Sequence, residues 1–117
     1  MWLFTPHGGF LSVVTHKDNY ETVIVRARDA DHLRKSFVDI AGNIEPEIKQ
    51  IPGADYAYRL EMPRWAFAQW IARYANSMTH TNFKDASSEQ GHSPEYINAL
   101  HDVWATMADI QDPPPYS

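Results

Sequence analysis

At Asp29 the hydrophobic period of the chain changes, and this change limits the possible folds more than any other feature of the sequence. Upstream, in the run Glu21 to Arg28, Val23, Val25 and Ala27 share one side while Thr22, Ile24, Arg26 and Arg28 share the other. That is the two-residue alternation of a strand. Downstream, Leu33, Phe37, Ile40 and Ala41 recur at helical spacing, with Asp29 suited to the N-cap and Gly42 to a left-handed close. The spacing predicts a strand over 21–28 and a helix near 30–41.

The same switch recurs along the chain. Met1 to Thr5 and Phe10 to Thr15, joined by Pro6-His7-Gly8-Gly9, read as a β-hairpin. Glu45 to Met62 reads as a second hairpin turning at Pro52-Gly53, with Tyr56, Tyr58, Leu60 and Met62 on one side and Arg59 and Glu61 on the other. Pro63 suits a first helical position, and Phe67, Trp70, Ile71, Tyr74 and Met78 form a stripe predicting a helix over 63–78. Asn82 to Asp85 starts a short helical segment. Ser93-Pro94 starts a last helix, near 94–111, with Ile97, Leu100, Val103, Trp104, Met107 and Ile110 on one stripe. Strands, a helix, more strands and then helices give an α+β fold: an antiparallel sheet of two hairpins plus one strand, with about three helices packed on one face. The domain is expected to span 1–112, with a Pro-rich tail at 113–117. The expected core includes Phe4, Val23, Val25, Leu33, Phe37, Leu60, Phe67, Ile71, Leu100 and Trp104.

Composition removes several function classes. The 117 residues contain no cysteine, so disulfide scaffolds and thiolate metal sites are out. The net charge of -5 lacks the basic excess of a general nucleic-acid binder. No apolar run reaches bilayer-spanning length, and the first residues lack the pattern of a signal peptide, so the expected location is cytoplasmic, without membrane contact. The six histidines show no spacing that would set two imidazoles on one helical face, so no metal site is predicted. Nucleophile-elbow, phosphate-loop and dinucleotide motifs are missing too, and no cofactor is expected.

What remains is a candidate binding surface. Arg26 and Arg28 point to one side of their strand, and Arg59 joins them if the hairpins pair. The competing account has these arginines neutralised by cross-strand pairing with Glu21, Glu61 or Asp55, at under about 1 kcal/mol each. Tyr58, Asn82 and Lys84 extend the candidate surface, although alternation sets Tyr58 on the side opposite Arg59. Trp65 lies off its helical stripe, which leaves an exposed tryptophan of the kind enriched at protein interfaces.

The segments MWLFTPHGGFLSVV, VRARD, DYAYRLEM, TNFKDA and VWATM, in this order, resemble a family of small uncharacterised bacterial and phage proteins that begin Met-Trp-aromatic-Thr. The resemblance covers the whole chain. It implies no activity and no catalytic residue, and it directs attention to Trp2, Thr5, Ser12, Arg26, Arg28, Tyr58, Arg59, Asn82 and Lys84. The chain departs from the family pattern in an extra glycine in the first turn and in its Pro-rich end.

Together these features predict a non-enzymatic domain that binds another protein, with self-association as a further possibility for its surfaces. One concrete form is a small acidic inhibitor, of the anti-CRISPR type, acting on a nucleic-acid-binding machine. The alternative is a protein that binds a small molecule or phosphate through the arginine cluster.

Overall fold

The computed structural model describes residues 1–38 and 47–115. Among these, five strands form one antiparallel sheet: β1 Trp2–Thr5, β2 Gly9–Thr15, β3 Thr22–Ala27, β4 Lys49–Gln50 and β5 Tyr58–Pro63, in the order β1-β2-β3-β5-β4. Four helices accompany it: α1 Ala30–Phe37, α2 Arg64–Ser77, α3 Phe83–Ser88 and α4 Pro94–Asp109. The fold is the α+β class that the periods predict.

Local chemistry fixes the ends of these elements. The carboxylate of Asp29 accepts from the Asp31 N–H at 2.9 Å and caps α1. Ser93 Oγ accepts from the Tyr96 N–H at 3.2 Å and caps α4, with Pro94 behind it. Pro63 closes β5 and stands at the N-cap of α2, one residue earlier than its predicted place. Residues 39–46, which include Gly42 and the predicted end of this helix, lie outside the described residues.

Alternation along β3 sends Val23, Val25 and Ala27 to one side of the sheet, where they meet Leu11 and Val13 of β2, Leu60 and Met62 of β5, Leu33 and Phe37 of α1, and Phe67 of α2. Each of the buried Val, Leu, Met and Phe side chains contributes roughly 1.5–3 kcal/mol. Trp70 and Ile71 of α2 pack against this cluster, and the Trp70 indole N–H donates to the Ser36 carbonyl at 2.7 Å. Helices α1 and α2 therefore cover this side of the sheet.

Helices α3 and α4 sit differently. His92, in the turn before α4, lies 2.7 Å from the Pro6 carbonyl, and the rings of His92 and Tyr96 meet that of His32 of α1 edge-on. Leu100 of α4 is buried, but beyond it the helix is largely open: Trp104 is 43% exposed and Ile110 73%.

Three expectations are corrected here. Trp104 is not in the core, because α4 leaves the body of the domain after Leu100. Phe4 is half-buried on the side of the sheet away from α1 and α2, while Leu3 packs against the core; β1 is apolar on both sides, so its alternation carries no orientation. The second hairpin exists as a β4–β5 pair, but β4 has only two residues and 51–57 form an irregular loop.

Candidate functional site

The face left open by α1 and α2 carries a file of cations. In the strand register Ser12 stands opposite Arg26, Arg26 opposite Arg59, and Arg59 opposite Lys49. Directly opposed residues share a face, so Arg26, Arg59 and Lys49 line up across β3, β5 and β4. Arg28, two residues past Arg26, extends the file toward Phe10, with its guanidinium carbon 5.9 Å from that ring's centre.

Tyr56 organises this surface. Its ring centre lies 4.6 Å from the guanidinium carbon of Arg26 and 4.4 Å from that of Arg28, within cation–π range of both. The ring is buried and also meets Phe10, which stacks on Phe4 at 4.5 Å and takes Trp2 edge-on at 5.7 Å. An aromatic strip thus runs from β1 to the arginines.

The cross-strand pairing that competed with a binding role is mostly absent among the described residues. Arg28 does pair with Asp55 at 3.4 Å, but both groups are exposed and such a pair is worth little. Glu61 faces His16 instead, at 3.6 Å. Neither Arg26 nor Arg59 has an ion pair among the described residues. Arg26 donates from Nη2 to the buried Ser12 Oγ at 2.7 Å, and the Nε of both arginines is buried without a hydrogen-bond partner there. Arg64 shows what a structural arginine looks like in this fold: it donates to the Tyr20 carbonyl at 2.8 Å and to Thr15 Oγ1 at 2.9 Å, and it lies on the Tyr20 ring.

The remaining predicted site residues fall elsewhere. Tyr58 packs against the core from the opposite side of the sheet, as alternation from Arg59 requires. Asn82 caps α3 by accepting from the Asp85 N–H at 3.0 Å. Lys84 stands between α3 and α4, with Nζ 4.7 Å from the Trp104 ring centre and 3.4 Å from His101 Nδ1. Trp65 is 64% exposed on α2, the helix that covers the core side, and does not join the arginines. Two members of the open face are not marked by sequence alternation. Lys49 stands in a strand of only two residues, and Tyr56, expected on the side of Leu60, lies in loop, where alternation does not hold.

A second feature borders this face. Phe4 and Phe10 of the sheet, Leu100 and Val103 of α4, and Arg28 line one cavity of about 310 Å³. His32 closes part of it; its Nδ1 accepts from the Phe10 N–H at 3.2 Å, which puts the proton of the neutral ring on Nε2. Burial holds the His32 pKa below its ordinary value, against the pull of the Asp29 carboxylate.

Chemically, the open face offers guanidinium forks on rigid strands, a geometry that recognises carboxylate or phosphate. Among the described residues no three His, Asp or Glu side chains gather closely enough to hold a metal ion, and no helix is long and apolar enough to cross a membrane. Comparison of the chain with family models, with curated proteins and with solved structures finds no match.

Proposed function

We propose that this protein is a non-catalytic interaction domain whose open sheet face binds an acidic segment of another protein. The observation that carries this reading is the file Arg26–Arg59–Lys49, in which like charges stand directly opposite one another. Such pairs weaken a sheet, and an anion laid along them offsets the repulsion and accepts from their terminal N–H groups. The buried Tyr56 ring holds the guanidiniums of Arg26 and Arg28 in place, and the half-buried Phe10 beside them supplies apolar ground for a peptide side chain. A net charge of -5 repels a polyanion such as nucleic acid at long range, whereas a short acidic segment meets mainly the local cations.

The test is capture from a host extract with tagged wild type and with Arg26→Met. The reading expects a partner that wild type retains and the variant loses, and whose binding maps to a stretch rich in Asp and Glu. A partner held equally by both proteins overturns it. A phosphate-bearing small ligand is the alternative occupant of the same file, and competition by inorganic phosphate at concentrations that leave the acidic peptide bound would distinguish it.

A second reading has its own observation. Glu95, Asp102 and Asp109 are exposed and seven residues apart on α4, a spacing that places them on one side of the helix. This acidic rank suits a basic partner, and in its most specific form the protein is an inhibitor whose carboxylates stand in for the phosphates bound by a nucleic-acid-binding machine. Charge reversal at Asp102 rather than at Arg26 would then release the partner.

A further inference from the structure

We infer that the cavity between the aromatic strip and α4 binds a small amphipathic carboxylate, of the class of medium-chain fatty acids or arylalkanoic acids. This goes beyond the reading of the sheet face, because it uses Arg28 and the cavity rather than the file Arg26–Arg59–Lys49.

The cavity's size comes first. At about 310 Å³ it lies at the lower end of the roughly 300–1,000 Å³ range of small-molecule sites. It has room for on the order of ten water-sized groups, at about 30 Å³ each. Its walls come next. Phe4 and Phe10 from the sheet and Ala99, Leu100 and Val103 from α4 offer hydrocarbon on both sides, so a ligand tail leaves water without stranding polar groups.

The polar groups then decide the head group. Arg28 is the one lining side chain with a permanent charge, and a guanidinium fork receives a carboxylate through two N–H donors. Its present partner, Asp55, is 3.4 Å away across an exposed pair, so exchange for a ligand carboxylate is cheap. Tyr96 also lines the cavity, and its hydroxyl is buried with no hydrogen-bond partner among the described residues. A buried hydroxyl left unpaired is costly, and a ligand oxygen would satisfy it. His32 adds no second charge, since its ring is committed to the Phe10 N–H and burial favours the neutral form.

The experiment titrates the full chain with octanoate and, separately, with octanol, following heat and the fluorescence of Trp2, which also lines the cavity. Octanoate should bind saturably at one site and roughly tenfold more tightly than octanol, the scale of one charged hydrogen-bonding contact. Arg28→Gln, at an exposed position, should bring octanoate down to the level of octanol. Ala99→Trp, from the exposed side of α4, should fill the cavity and abolish binding of both. Absence of saturable octanoate binding overturns the inference, as does equal affinity for the acid and the alcohol in wild type. Undiminished binding in folded Ala99→Trp places the ligand elsewhere and overturns it too.

Discussion

Arg26 and Arg59 stand directly opposite each other across the β3–β5 ladder, and neither has an ion pair among the described residues. If this arrangement is kept for binding, it weakens the fold that carries it. Arg59→Met keeps most of the side chain's apolar length and removes the charge, so it should stabilise the domain by about 0.5 kcal/mol. The gain should shrink at high salt, where the repulsion is already screened. Urea unfolding at two ionic strengths checks both statements, and a clear loss of stability would make Arg59 structural.

Gly9 begins β2 at φ 77°, and a Cβ built on it would run into the His32 imidazole ring. Two costs therefore coincide: the left-handed backbone, and displacement of a ring that also accepts the Phe10 N–H. Gly9→Ala should cost about 2 kcal/mol or more. Gly53, also at positive φ but with open space around it, should lose less on the same substitution. Equal losses at the two glycines would show that the ring contact adds nothing.

His32 should make the fold sensitive to mild acid. Burial, and to a lesser degree His92 and Lys35, lower its folded pKa, while Asp29 opposes them. The unfolded chain then binds a proton, near its ordinary pKa of about 6.5, that the folded chain refuses. Stability contributed in this way is present above that value and is lost as the pH falls through it toward the depressed folded pKa. The unfolding midpoint should drop over this window, and His32→Gln should flatten the drop. An identical pH profile in the variant would assign the acid sensitivity to other groups.

Helix α4 offers a paired comparison. Leu100 is 5% exposed, whereas Trp104, one turn on, is 43% exposed. Leu100→Ala should cost about 2–3 kcal/mol and Trp104→Ala less than about 1 kcal/mol, as read from thermal melts. The reverse order would mean that α4 is covered along its length in solution, as association with a second copy would do.

These residues also show what the sequence can and cannot convey. The switch of period at Asp29, the caps at Asp29 and Ser93, and the alternation of Val23 and Val25 are local properties, written in residues near one another, and they were legible. The cationic file was legible at Arg26 and Arg28 because both lie on one strand, and at Arg59 because β5 pairs where its apolar residues demand. Tyr56 and Lys49 were not, since their positions depend on where a loop ends and a two-residue strand begins. Trp104 misled because a helical stripe records which side of a helix is apolar, and not whether anything packs against it. Leu3 and Phe4 misled for the matching reason in a strand: both sides of β1 are apolar, so only tertiary packing decides which one faces the core.

The file Arg26–Arg59–Lys49, proposed above as the seat of acidic protein segments, can be tested without knowing the partner. The most direct measurement is the Kd of a glutamate-rich peptide for wild type and for the Arg26→Met/Arg59→Met double variant, at low and at physiological salt, with melting curves alongside. Wild type should form a saturable complex that weakens with salt. The double variant should bind roughly thirtyfold more weakly, about 2 kcal/mol, while still unfolding cooperatively, its melting temperature lowered only as far as loss of the Arg26–Ser12 hydrogen bond requires. Equal affinity in a folded double variant, or no saturable binding to wild type, would contradict the proposal.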